Sequence, residues 1–137
     1  MTAMPVSSIR LTRLAAAAAL LFTISLPAYA GDAAKETSVA SQHAGFAASA
    51  TELTTAHVHL HHTVNCLVGP NGKGFDAKQL NPCNGFGNGA IPDTTDAAKK
   101  EALERALSKA QDGLASKDLT TATQAAASAQ AALKGAM

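Results

Sequence analysis

The fold is decided by residues 93–137, DTTDAAKKEALERALSKAQDGLASKDLTTATQAAASAQAALKGAM. Apolar side chains recur there at the spacing of two helix faces. The first face holds Leu103, Leu107, Ala110 and Leu114, and the second holds Leu119, Ala122, Ala126, Ala129 and Leu133. Asp93 suits the start of the first helix, and Gly113 suits its end. Ser116 or Asp118 can cap the second helix. The stretch therefore predicts a hairpin of two closely packed, alanine-rich helices.

A second helical pattern covers residues 36–68, upstream of the hairpin. Apolar positions recur there every seven residues, with a second set four residues later. The two sets are Val39, Phe46, Leu53, Leu60 and Leu67, and His43, Ala50, His57 and Val64. This predicts one long helix that ends at Gly69, with a bend or break near Gly45 as the alternative, because glycine weakens a helix interior by about 1 kcal/mol. The predicted fold class is all-α: a small helical bundle of one long or kinked helix plus the C-terminal hairpin. The apolar seam is long for the shorter hairpin to cover, which favours either a homodimer or a break near Gly45.

Between the two helical regions, residues 69–92 are predicted to form a loop, since nine of them are glycine or proline. Cys66 and Cys83 are the only cysteines of the chain. In an oxidising compartment they are expected to form a disulfide that staples this loop and contributes about 3 kcal/mol. The alternative keeps Cys66 as a thiolate ligand.

Residues 1–30 have the pattern of a cleaved secretory signal peptide. Two arginines precede an apolar run at 14–26, and the sequence AYA at 28–30 matches a small-x-small cleavage site. The alternative is an N-terminal membrane anchor. Cleavage would leave one periplasmic or secreted domain, residues 31–137, with no membrane span. Loss of Arg10 and Arg13 from the 11 Lys and Arg leaves nine, against ten Asp and Glu, which does not favour nucleic-acid binding.

All five histidines lie between positions 43 and 62, and four of them fall at 57–62. On a helix, His57 and His61 are neighbours on one face, whereas His59 and His62 lie on the opposite face. Imidazoles bind Cu(II), Ni(II) and Zn(II). We therefore predict metal binding by His57 and His61, with His59 and His62 as a second, weaker site.

Two ligands alone bind a metal weakly, so a third ligand is expected from another element. Candidates are Glu52, or Asp76 and Asn65 if the loop folds back onto the helix. His43 lies 14 residues before His57, about 21 Å along a straight helix. It is therefore expected to join a site only through another helix or a second subunit.

The alternative function is a non-catalytic protein-interaction module built on the stapled loop. Phe75, Phe86 and the loop tip at 71–76 would dock on a partner, and the histidines would be packing residues or a pH sensor. No enzyme is predicted, because no nucleophile stands in the strand–turn–helix setting of a hydrolase. No organic cofactor is expected.

The hairpin segment EALERALSKAQDGLASKDLTTATQAAASAQAALK, residues 101–134, resembles the small metal-binding protein family. The resemblance implies an exported, periplasmic bundle of Ala-rich helical hairpins that binds divalent metals, copper among them. The family carries histidines along its helices, whereas this hairpin has none, and the predicted loop disulfide is not a family feature. Only His57 and His61, and after them His59 and His62, can therefore inherit a ligand role.

Overall fold

A computed structural model describes Thr2 and residues 30–137 of the chain. These residues form five helices and no strand: α1 (Ala33–Ala48), α2 (Leu53–Val68), α3 (Ala90–Asp93), α4 (Ala97–Ala115) and α5 (Leu119–Ala136). The predicted fold class is confirmed, because the protein is an all-α bundle with a C-terminal hairpin and a disulfide-tied loop. None of the described helices is long and apolar enough to cross a membrane. The predicted signal peptide lies outside the described residues, apart from Thr2 and Ala30.

The predicted long helix is divided into α1 and α2, which fold back on each other. The hydroxyl of Thr63 donates to the carbonyl of Ala40, and the side chains of His43 and His59 meet, so the two helices run antiparallel. The break falls at residues 49–52, and α1 continues through Gly45. A seven-residue repeat is compatible with both arrangements, because each helix keeps its own buried face after the reversal. The reversal also removes the long continuous seam on which the predicted homodimer rested.

The buried face of α1 differs from the predicted seam. Its buried residues are Glu36, Thr37, Ala40, Ser41, Ala44 and Ala47. Phe46, a predicted seam residue, is 48% exposed. Small side chains let α1 pack closely against both α2 and α5, and the amide of Gln130 on α5 reaches the carbonyl of Ser41 at 3.3 Å. The packed faces of this bundle are thus mostly alanine, with Leu60, Leu67, Leu103 and Leu133 as its largest buried apolar side chains.

The C-terminal hairpin has the predicted faces but different ends for its first helix. Asp96, and not Asp93, caps α4 by accepting a hydrogen bond from the backbone N–H of Lys99 at 2.9 Å. Asp93 instead ends the one-turn helix α3, which shortens the predicted loop. Asp118 caps α5, as predicted for one of two candidates.

Gly113 does not end α4, which runs on to Ala115, but lies buried within it. A Cβ atom at this position would stand 2.7 Å from Cδ1 of Leu60 and 3.3 Å from the carbonyl oxygen of Ala122. The missing side chain therefore allows α2 and α5 to approach α4 closely. Gly113 is therefore explained by close helix packing and does not mark the end of the helix.

The loop is held to α2 by a disulfide and by one buried amide. Cys66 and Cys83 are bonded, as predicted. Asn65 is fully buried, and its amide donates to the backbone carbonyls of Asp76 at 3.0 Å and Leu80 at 3.2 Å while accepting from the N–H of Asp76 at 2.9 Å. Gly69 ends α2 at the predicted position with a φ of +67°, which favours glycine. These contacts order the loop although it contains little regular structure.

A buried carboxyl group joins α1 to the far end of the loop. Glu36 is 1% exposed, and its Oε1 accepts the backbone N–H of Gly89 at 3.0 Å, whereas its Oε2 has no hydrogen-bond partner. Burial, aided by the nearby Asp93 and opposed by the Gly89 hydrogen bond, raises the pKa of Glu36 from its usual 4.5 to about 7. The surroundings of Glu36 thus favour its neutral, protonated form over its charged form.

We expect Glu36→Gln to become progressively more stable than the wild type as the pH rises. A carboxyl whose pKa is higher in the folded state contributes stability that is complete below pH 4.5 and is lost as the pH rises through 7. Glutamine keeps the acceptor for Gly89 and does not ionise. The difference in free energy of unfolding should therefore shift in favour of the variant by about 2–3 kcal/mol between pH 5 and pH 8.5. Guanidinium unfolding at both pH values measures this shift, and a pH-independent difference would refute it.

Candidate metal centre

Helices α1 and α2 bring three histidines together. Nδ1 of His43 lies 3.1 Å from Nδ1 of His59 and 3.3 Å from Nδ1 of His62. One ligand atom from each of the three residues lies within 4.8 Å of the corresponding atoms of the other two. This is the one group of three or more histidine, cysteine or acidic residues within residues 30–137 that has metal-binding geometry.

The helical register and the chain reversal explain why these three residues meet. His59 and His62 are three residues apart and share a face of α2, with ring centroids 5.6 Å apart. His43 enters from α1, which runs in the opposite direction. Ala40 and Ala47 lie about one turn before and after His43 and are fully buried. Their small side chains let the two helices approach closely enough for the rings to face one another.

The nitrogen separations match those of a metal site. Zinc–imidazole bonds of about 2.0–2.1 Å at tetrahedral angles place two ligand nitrogens about 3.3–3.4 Å apart. The separations of 3.1 and 3.3 Å from His43 are close to this spacing. In the metal-free protein, one Nδ1 proton on His43 can serve both contacts. Metal binding instead requires the lone pairs of all three Nδ1 atoms, with the ring protons on Nε2.

The electrostatic environment favours the neutral form of two histidines of the cluster. Burial, together with the neighbouring His62 and His59, lowers the pKa of His43 from 6.5 to about 4. Burial and the nearby His59 and His61 also lower the pKa of His62. A positive charge on His43 or His62 is disfavoured by burial and by the neighbouring imidazoles. His43 is therefore neutral well below pH 7, and the pKa of His62 moves in the same direction, toward the neutral form that coordination requires.

An aromatic side chain lies at the edge of the cluster. The ring centroid of Phe46 is 5.6 Å from that of His43 and 5.3 Å from that of His59. His62 is buried, whereas His43 and His59 are only partly buried. The cluster therefore lies close to the surface where α1 and α2 meet, with Phe46 beside it.

The other two histidines lie outside this group. His61 faces the loop, with its Nδ1 3.7 Å from a carboxylate oxygen of Asp76, and both side chains are about one-third exposed. His57 is partly buried, and its Nε2 atom is buried without a hydrogen-bond partner. The predicted sites paired His57 with His61 and kept His59 and His62 apart from His43. The structure instead unites His59, His62 and His43, and a metal role for His57 and His61 stays a prediction.

The candidate third ligands have other surroundings in the structure. The loop does fold back onto α2, but Asn65 uses its amide to hold the loop backbone, and Asp76 contacts His61. The disulfide removes Cys66 as a thiolate ligand. Glu52 is exposed at the start of α2. His43, from a second helix, completes the group of three histidines. The sequence predicts that His43 joins a site through another helix or through a second subunit.

The aromatic residues of the loop are less available for a partner than the interaction-module hypothesis requires. Phe75 and Phe86 are partly buried and pack against the hydrophobic core. The Nζ atom of Lys35 lies 4.0 Å above the ring of Phe86. Leu80, at 64% exposed, is the large apolar side chain that the loop presents to solvent.

Comparisons of the chain with protein-family models, with curated proteins and with solved structures find no match. The resemblance to the small metal-binding protein family therefore stays a prediction, and the functional conclusion rests on the geometry of the three-histidine cluster.

Proposed function

We propose that this protein binds one divalent transition-metal ion through Nδ1 of His43, His59 and His62 and buffers that metal after export. The convergence of three Nδ1 atoms from two helices, at 3.1 and 3.3 Å from His43, is the observation that carries the proposal. Lowered pKa values at two of the three ligands support it, because protons then compete weakly with the metal. The proposed role is binding and not catalysis.

The donor set favours a borderline metal ion. Three neutral imidazoles suit Zn(II), Ni(II) and Cu(II) better than hard cations such as Mg(II) or Ca(II). Cu(II) is expected to bind most tightly by the Irving–Williams order, whereas the two nitrogen separations from His43, 3.1 and 3.3 Å, are close to those of a tetrahedral Zn(II) site. Which ion fills the site in the cell then depends on metal supply as well as affinity.

Calorimetric titration of untagged, metal-free protein at pH 7.5 and pH 5.5 tests the proposal. For three imidazoles with an ordinary pKa near 6.5, the neutral fraction falls about tenfold each between these pH values, or about a thousandfold in all. The pKa of His43 is near 4, which removes the tenfold penalty for that residue, and the lowered pKa of His62 reduces the penalty further. We therefore expect one equivalent of Zn(II) to bind at both pH values, with an affinity loss below about a hundredfold.

Two outcomes would count against this account. Absence of binding by Zn(II), Ni(II) and Cu(II) at pH 7.5 would remove the proposed function and return the histidines to a packing role. Binding that collapses a thousandfold at pH 5.5 would point to exposed imidazoles outside the cluster, of which His61 is the first candidate.

A further inference from the structure

We propose that a metal ion held by the three histidines keeps one coordination position for a small monodentate anion. This inference rests on the proposed function and specifies which further ligand the bound ion would take. It follows from three properties of the cluster: its ligand number, its access to solvent and the scarcity of negative charge around it.

The cluster supplies three protein ligands and no fourth. Within residues 30–137, the metal-binding group contains His43, His59 and His62 alone among histidine, cysteine and acidic side chains. Cys66, which follows His62 by one helical turn, is bonded to Cys83. Sites in which three protein ligands hold a zinc ion commonly leave the fourth position to water or an exchangeable ligand. The donor set here has that composition.

The solvent-accessible side of the cluster is partly apolar. Within the cluster, His62 is buried, whereas His43 and His59 are partly exposed to solvent. Phe46 forms an exposed apolar edge beside both of these rings. A ligand at the fourth position would therefore reach the ion from the solvent side and lie against a phenyl ring. Such a setting fits a small ligand better than a large polar one.

The charge balance of the site favours an anion. Neutral imidazoles leave the full +2 charge of the ion uncompensated. Glu52, directly before α2, lies seven residues from His59, and Asp76 contacts His61 and is not a member of the cluster. Helices α1 and α2 themselves contain a single carboxyl group, Glu36, which lies seven residues from His43, about 10 Å along the helix axis. That carboxyl is directed to the backbone N–H of Gly89. A bound anion would supply the negative charge that the protein does not place beside the metal.

Visible spectroscopy of the Co(II)-loaded protein, titrated with sodium azide in chloride-free buffer, tests this inference. Co(II) held by three imidazoles and water gives d–d bands that report its coordination. We expect these bands to shift and saturate as azide replaces water. A Co(II) spectrum that azide leaves unchanged would overturn the inference while leaving metal binding intact. Failure of Co(II), Zn(II) and Cu(II) to bind at all would overturn the proposed function itself.

Two substitutions of Phe46, the exposed residue beside the cluster, provide a second test. Phe46→Glu places a carboxylate beside the cluster on an exposed helical position, where it can occupy the fourth coordination position. We expect this variant to bind Co(II) more tightly than the wild type and to lose the azide response. The matched variant Phe46→Leu has no carboxylate and should keep the response. Equal azide responses in the two variants would contradict an open position at this edge of the cluster.

Discussion

Replacing His43 by alanine is expected to lower the affinity for Zn(II) at least about a hundredfold, because two imidazoles from one helix hold a metal weakly. The rings of His59 and His62 would remain on α2, but the nitrogen that lies within 3.3 Å of both would be gone. His59→Ala should have a similar effect. Calorimetry gives the affinity of each variant, and circular dichroism checks that the helices persist.

The control for this substitution is His61→Ala, which removes a histidine of α2 that lies outside the cluster and faces Asp76. Its Zn(II) affinity should stay within about threefold of the wild type, a difference of under about 1 kcal/mol. The double variant His57→Ala/His61→Ala separates the two metal hypotheses further. If it abolishes binding while His43→Ala does not, the metal lies on the helix-face pair predicted from sequence and not in the three-histidine cluster.

Replacing Asn65 by alanine is expected to destabilise the oxidised protein by about 3 kcal/mol, because it removes a fully buried amide that holds the loop backbone. That amide accepts the N–H of Asp76 and donates to the carbonyl of Leu80, and it shares the carbonyl of Asp76 with the N–H of Gln79. The disulfide would still tie the base of the loop, but the segment between residues 69 and 82 would lose its attachment to α2. Guanidinium unfolding measures the loss.

Asn71→Ala is the matched control, because Asn71 is an exposed residue of the same loop. It should change the free energy of unfolding by less than about 0.5 kcal/mol. Hydrogen exchange provides a second readout, in which Asn65→Ala should increase exchange of the Asp76 amide while the amides of α4 and α5 stay protected. Equal stability of the two variants would show that the loop is ordered without the Asn65 amide.

Much of the fold follows from local sequence patterns. The faces of α4 and α5 could be predicted because Leu103, Ala110, Ala126 and Leu133 fall at helical spacing, and these residues are buried. The disulfide could be predicted because the chain contains a single cysteine pair. The ends of the helices were predicted less accurately than their faces. Asp93 and Asp96 are both good caps, and the choice between them depends on the one-turn helix α3, which has no separate sequence signal.

The candidate site could be predicted only in part, because it depends on a tertiary event. Histidine clustering identified the region and two of the three candidate ligands, His59 and His62. The third, His43, meets these two only because the chain reverses at residues 49–52. The seven-residue repeat gave no indication of this reversal. One local signal was present: Ser49 and Glu52 have the spacing of a capping box before an apolar run. In the structure, however, Ser49 is the C-cap of α1 and Glu52 precedes α2 without a side-chain cap, so no capping box forms there.

The central claim is that His43, His59 and His62 bind the metal through Nδ1. A long-range proton–nitrogen correlation spectrum of the histidine rings, recorded on nitrogen-15-labelled protein before and after one equivalent of Zn(II), tests it most directly. We predict that the Nδ1 signals of these three residues move to metal-bound positions with the proton on Nε2, while those of His57 and His61 stay in place. Movement of the His57 and His61 signals, with His43 unchanged, would contradict the account.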